Sequence, residues 1–213
     1  MFCCPGNQFS ATFMKCWTDT IQWCYDNDIE WELNQGVSCN LYYVRSMCLK
    51  ANFLKGKIQN PFNDKPYDYI MWIDSDQVWK PKQIGELIKY DEPIVSGYYM
   101  CEGGLQTICG NFDITNYKNT FLYDSISLKK LPKYEYNKQL TEVGYTGFGF
   151  MLIKKRVFES IEYPWFEPAF TVHGNIRDFS FEDVGFCNKA KQAGYKILVD
   201  TTIKVGHEKK HIY

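Results

Sequence analysis

Tyr67-Asp68-Tyr69-Ile70-Met71-Trp72-Ile73-Asp74-Ser75-Asp76 is an apolar run that stops at two aspartates one residue apart. It is short, rich in aromatics and apolar on both faces, which predicts a central strand of a parallel sheet rather than a half-exposed one. Open α/β sheets bind their ligands beyond the carboxyl ends of the strands. Asp74 and Asp76 would therefore stand at the ligand edge, where two carboxylates suit a hard divalent cation. The spacing alone proves little, because Asp26-Asn27-Asp28 repeats it. That second pair follows a helical pattern and precedes a strand, so it falls on the opposite edge of the sheet, as a solvated turn.

The 213 residues fit one domain with a sizeable core and no linker. Hydrophobic residues make up 45% and the net charge is −1, a globular composition without electrostatic bias toward nucleic acid. No stretch approaches the length of a membrane span, and the first residues lack the basic and apolar regions of a signal peptide. A cytoplasmic protein is expected. The nine cysteines are odd in number, contain no C-x-x-C and mostly occupy apolar positions of periodic segments, so buried thiols in a reducing compartment are expected. The 16 Tyr, 15 Phe and 6 Trp exceed what such a core needs; most are expected in the core, which leaves some to stack on a ligand, such as the face of a sugar.

Phe2 to Cys4 reads as a first strand ended by Pro5-Gly6, with Asn7 capping a helix that runs to about residue 26. Ile29 to Leu33 alternates as a strand, and Ser38 or Asn40 caps a helix bearing Leu41, Val44, Cys48 and Ala51. After the central strand, Lys80-Pro81 opens another helix and Pro93 to Tyr99 another strand. This β-α-β-α-β-α-β order calls for a parallel sheet with helices on both faces. Gln106 to Phe112 and Thr120 to Tyr123 predict a small antiparallel extension. Val143 to Ile153 reads as one glycine-punctuated strand leading into a helix over Lys155 to Ile161. Glu162 to Phe179 reads as a long loop of the kind that forms lids or binding segments. A helix over Val184 to Ala193, closed by Gly194, and a strand over Lys196 to Asp200 complete the order.

Three elements then follow one another: Asp74-Ser75-Asp76, Glu182-Asp183 at a helix start, and His207 after the last strand. Together with "VRSMCLKANF", "VGYTGFGFMLIKKRVF", "FEDVGFCNKAKQAGY" and the closing "GH", they resemble a GT-A glycosyltransferase over nearly the whole chain. More narrowly, the chain resembles the amino-terminal glycosyltransferase domains of multidomain chlorella-virus proteins that build capsid glycans. The resemblance implies a Rossmann-like, mostly parallel sheet with helices on both faces and a small antiparallel extension. It also implies a nucleotide-sugar donor, uridine-linked, whose diphosphate is held by Mn²⁺ or Mg²⁺, and a glycan or glycoprotein acceptor.

The same resemblance assigns the residues. Asp76 and His207 would ligate the metal, with Asp74 either ligating it or contacting the donor's ribose or sugar. Pro5 would line the donor site, Ser75 would bond the ribose, and Arg45, with Lys209 or Lys210, would pair with phosphate oxygens. Glu182 and Asp183 form the acceptor-side pair, Asp183 serving as general base if the reaction inverts the anomeric centre. If it retains, the pair binds hydroxyls instead. No Arg or Trp motif follows the pair, which leaves the stereochemistry open. Trp165, Phe166 and His173 would stack on the acceptor or pack the long loop. The end at His211-Ile212-Tyr213 suggests a piece cut from a longer protein.

Three other readings compete. His207-Glu208-Lys209-Lys210-His211 matches H-E-x-x-H, which needs a helix and a third zinc ligand. Ile73-Asp74-Ser75-Asp76-Gln77-Val78 resembles the nucleophile motif of haloacid-dehalogenase-type phosphatases, with Asp74 attacking phosphorus. A GT-A-like domain that only binds sugar is the third.

Overall fold

A computed structural model describes residues 1–101, 104, 106–111, 124–127 and 140–209. The apolar run ahead of Asp74 forms β3 (Tyr69–Ile73), an interior strand of a seven-stranded sheet. On one side lie β1 (Phe2–Cys3) and β2 (Leu33–Asn34), both parallel to it. On the other side come β9 (Phe150–Lys154), β5 (Ile94–Tyr98), β12 (Ile197–Lys204) and β8 (Leu140–Val143). β9 runs antiparallel to both β3 and β5, β12 is parallel to β5, and β8 is antiparallel to β12. Five of the seven strands thus point the same way, a mostly parallel sheet.

Alternation along β3 sends Ile70 and Trp72 to one face and Met71 and Ile73 to the other, and each face has its own core. The Met71 face is covered by α1 (Ala11–Asp26) and α3 (Pro81–Lys89) through Phe13, Trp17, Ile84 and Leu87. The Trp72 face is covered by α2 (Leu41–Cys48), α4 (Lys155–Glu159) and α5 (Glu182–Gln192). Here Trp72, Phe148, Phe166 and Phe186 meet mostly edge to face, with centroids 5.0–5.7 Å apart. Much of the aromatic excess is therefore core, including Trp165 and Phe166, which are buried and unavailable for stacking on a ligand. Seven of the nine cysteines are buried and all are free thiols. No helix among the described residues is long and apolar enough to cross a membrane.

Among the described residues, three short two-stranded ladders complete the fold. β4 (Gln77–Val78) pairs with β13 (Gly206–His207), β6 (Gln106–Asn111) with β7 (Asp124–Ser127), and β10 (Ala169–His173) with β11 (Ile176–Ser180). The β6–β7 pair is the expected antiparallel extension, although the expected strand at 120–123 lies outside the described residues. The expected loop before Glu182 is a hairpin instead, closed by Gly174 at φ 59° and Asn175. Alternating residues on either side of Gly-Asn are themselves a hairpin signal.

Two further expectations are corrected. The cap of α1 is Ser10, whose Oγ accepts from the Phe13 N–H at 3.0 Å, and not Asn7. The single strand expected over Val143 to Ile153 is broken into β8 and β9. Between them the chain passes so close to Tyr99 that a Cβ at Gly147 would lie 2.4 Å from the Tyr99 Oη, and one at Gly149 2.6 Å from its Cε1. The Gly149 N–H donates to the Tyr99 hydroxyl (3.2 Å), and the Gly149 carbonyl accepts from the Asp74 N–H (3.2 Å). Gly149→Ala is thus expected to lower stability by about 1–3 kcal/mol through this overpacking, measured as a shift of the urea midpoint at unchanged m-value.

Candidate active site

Where β3 ends, the chain turns: the Gln77 N–H donates to the Asp74 carbonyl at 3.0 Å, and Asp74, Ser75 and Asp76 occupy the bend. The loop after β1 lies against it. A Cβ on Gly6, which has φ +123°, would come within 3.1 Å of the Ser75 side chain, and Pro5 beside it is buried. Pro5, Ser75 and the two aspartates therefore meet at the carboxyl edge. Asp28 lies at the other edge, in a groove of about 890 Å³ that also includes Met1 and Tyr69 from the amino ends of β1 and β3. The two D-x-D pairs are separated by the full length of the strands.

The aspartates have different partners. Asp74 faces Arg45, whose Nη1 donates to Oδ1 and Nη2 to Oδ2, the latter at 3.0 Å. The Arg45 side chain is only 4% exposed. Its guanidinium carbon lies 5.4 Å from the Trp72 ring centroid and 5.1 Å from that of Phe148, and Nη2 also reaches the Glu182 Oε1 at 3.4 Å. Burial works against its charge, but Asp74 and Glu182 hold it firmly protonated. Arg45 is thus a buried ion-pair centre, not an exposed cation.

Asp76 faces the far end of the sequence. The β4–β13 ladder sets His207 opposite Gln77, and the Glu208 N–H donates to the Asp76 carbonyl at 2.7 Å. This register brings His207 Nε2 to 2.9 Å from Asp76 Oδ2, where Lys209 Nζ also donates at 2.9 Å. Burial opposes ionisation of Asp76, yet hydrogen bonds from His207 and Lys209 hold its carboxyl far below the usual range. Burial likewise opposes a charged His207, while Asp76 and the Met100 carbonyl, 2.7 Å from Nδ1, raise its pKa. Both ring nitrogens face acceptors, as suits an imidazolium. Lys210 and His211 lie outside the described residues. Because His207 is in a strand, the zinc-protease helix does not form.

The fit to a divalent cation can be judged from these donors. Neighbouring ligand atoms around an octahedral ion with bonds of about 2.1 Å stand about 3 Å apart, as Asp76 Oδ2 and His207 Nε2 do. The Met100 carbonyl holds Nδ1 as a proton donor, the usual support for a metal-binding imidazole. Among the described residues, no group of three or more His, Cys, Asp or Glu side chains converges on one point. The pair suits a cation that takes its remaining oxygens from phosphates and water.

Glu182 and Asp183 open α5. Glu182 is buried against Arg45, and Asp183 is half-buried, its Oδ1 accepting from the Val184 N–H at 2.7 Å. Burial, and next the neighbouring Glu182, push the Asp183 carboxyl up to about 7. That is the range in which a carboxylate acts as a base at neutral pH. Tyr99 escaped the sequence reading. It is buried with its ring 4.8 Å from that of His207, and burial, with the charges of Asp74 and Asp183, raises its hydroxyl well above the usual value. The phosphatase alternative needs Asp74 as a free nucleophile, but both its oxygens are engaged by Arg45.

No family model matches the sequence, and no curated protein matches it significantly. Solved structures do. The chain is similar to the A197 protein of STIV, with a TM-score of 0.56 at 19% identity over 98% of this chain and 85% of that one. It is also similar to GalNAc-T7 crystallised with UDP, GalNAc and Mn²⁺, with a TM-score of 0.52 at 14% identity. That match covers 98% of this chain but 37% of GalNAc-T7, so the chain spans little more than a third of that protein. With the sheet described above, these likenesses make the fold GT-A.

Two outcomes are expected from this geometry. Arg45→Met leaves the Asp74 and Glu182 carboxylates unpaired and should cost about 3–5 kcal/mol at neutral pH. The loss should shrink in acid, where the orphaned carboxylates take up protons, and urea unfolding across pH measures it. Asp183 titrates near 7 when folded, against an ordinary 3.8. Its protonation therefore stabilises the fold fully below the lower value, and this contribution is lost as pH rises through the higher one. Asp183→Asn should match the wild type in acid and exceed it by up to about 4 kcal/mol above neutrality.

Proposed function

We propose that the chain is a metal-dependent glycosyltransferase that moves a sugar from a nucleoside diphosphate sugar, uridine-linked, to a hydroxyl of a glycan acceptor. The observation that carries this reading is the 2.9 Å approach of His207 to Asp76 across 131 residues of sequence, beside a carboxylate pair at a helix start. The UDP and Mn²⁺ crystallised with GalNAc-T7 agree in kind with such a donor and ion.

In this reading Asp76 and His207 hold the ion, and the imidazole favours Mn²⁺ over the harder Mg²⁺. A cation bound there supplies neutralisation of the charge that grows on the departing diphosphate. Pro5 and Ser75 border the nucleoside, and Lys209 reaches toward the phosphates. Asp74, fixed by Arg45, meets the donor's ribose or sugar, so Arg45 serves as the clamp for Asp74 and Glu182 in place of a phosphate contact. Asp183 takes the proton from the acceptor hydroxyl as its oxygen bonds to the anomeric carbon and the bond to the diphosphate oxygen breaks. A base poised near neutrality favours inversion. The 213 residues act as one catalytic domain. The narrower resemblance extends the proposal to viral capsid glycans assembled in the host cytoplasm.

A thermal-shift series tests the donor. Mn²⁺ together with UDP or a UDP-sugar should raise the melting temperature by several degrees in the wild type and in Asp183→Asn, and not in Asp76→Asn or His207→Ala. Stabilisation by no nucleotide sugar in the presence of Mn²⁺ would sink the assignment. For transfer, kcat/KM should rise with pH to a plateau through a midpoint near 7, set by Asp183, and Asp183→Asn should abolish it.

A further inference from the structure

The β10–β11 hairpin runs directly into the helix that carries Glu182 and Asp183, and its register places Phe170 opposite Phe179 and Val172 opposite Arg177. Alternation puts these four on one face. Phe170 is 44% exposed, Val172 64% and Phe179 69%. The two phenyl rings lie 5.1 Å apart at a 37° tilt, and the Arg177 guanidinium is stacked 4.0 Å over Phe170. Exposed aromatic pairs are costly on a soluble surface and mark binding sites. The hairpin base is anchored to the rest of the site, because Tyr42 of α2, the helix of Arg45, donates its hydroxyl to the Ser180 carbonyl at 2.8 Å.

We propose that this face is the acceptor subsite, and that it binds a neutral oligosaccharide of at least two rings. The inference rests on the transferase reading above, which it deepens. Phe179 precedes Glu182 by three residues, so its Cα lies at most about 10 Å from that of Glu182. A glycan whose terminal hydroxyl meets Asp183 therefore has its next ring over the phenyl pair. The C–H face of a pyranose matches an apolar ring face, while the stacked guanidinium turns its N–H edge outward to donate to hydroxyls. Charge selects among occupants. Among the described residues the face carries one cation and no carboxylate, while Asp74, Glu182 and Asp183, offset only by the single charge of Arg45, stand where the reacting end must enter. That combination repels an acidic glycan or an anionic lipid surface at the reacting end and leaves a neutral sugar chain free to span both.

The test uses the full chain on an array of neutral and acidic oligosaccharides, alongside UDP and Mn²⁺ thermal shifts, sedimentation, and flotation with anionic phosphatidylserine vesicles. Wild type should retain neutral oligosaccharides. The double variant Phe170→Ala with Phe179→Ala should lose about tenfold in apparent affinity, and Arg177→Gln should lose less. Both should keep the UDP and Mn²⁺ shift, which also shows that they fold. Oligosaccharide binding equal in wild type and double variant overturns the proposal. So does a wild type that binds no neutral oligosaccharide, a dimer that the double variant abolishes, or vesicle flotation that depends on the two phenylalanines. Loss of the nucleotide shift in wild type with phenylalanine-dependent glycan binding intact would overturn the donor reading and leave the hairpin subsite standing.

Discussion

The guanidinium of Arg45 is the point on which the site depends. It ties three elements that are remote in sequence: α2, which carries it, the end of β3 through Asp74, and the start of α5 through Glu182. A buried arginine is tolerated when its charge is matched; Nη1 and Nη2 are bonded, while Nε has no partner among the described residues. Here two carboxylates supply the charge and the rings of Trp72 and Phe148 supply the walls. Stability and site geometry are therefore the same interaction, since anything that moves Asp74 or Glu182 leaves a buried charge without its counterpart.

The antiparallel strand β9 explains how the glycine segment joins this site. In an all-parallel sheet the amino end of a strand lies at the edge away from the ligands. Because β9 runs opposite to β3 and β5, its amino end, with Phe148 and Gly149 just before it, reaches the same edge as Asp74 and Tyr99. Phe148 can then wall Arg45, and Gly149 can bond both Tyr99 and Asp74 through its backbone.

Much of this was legible in the residue order. The β3 run declares itself because it is apolar on both faces, and the placement of Asp74 and Asp76 at the carboxyl edge follows from where such strands end. Ser10 against Asn7, by contrast, is a choice between two good caps that hydropathy does not resolve. Strand direction is not written in periodicity, so β9 read as a continuation of one long strand. The hairpin was missed although Gly174-Asn175 lies between alternating residues, because two nearby prolines suggested a loop. Arg45 stood out as a cation on a helix, but its burial depends on partners 29 and 137 residues away. Tyr99 carries no motif at all. Its importance comes from the glycines that make room for it.

The same reasoning accounts for the unequal aspartates of the opening run. A period of two places Asp74 and Asp76 on the same side of an extended chain, where they would share one environment. The turn after β3 ends that equivalence: the Gln77 N–H closes on the Asp74 carbonyl, and β4 then pairs with β13. Asp74 is left facing inward to Arg45, and Asp76 is left facing His207 and Lys209. One carboxylate is committed to a buried cation of the protein, while the other, 38% exposed, sits beside a histidine and a lysine at the solvent edge. A small change of backbone direction over four residues thus divides one motif into a buried anchor and a group at the solvent edge, whereas among the described residues Asp26, at the identical spacing, accepts only locally, from the Gln22 side-chain amide at 2.8 Å.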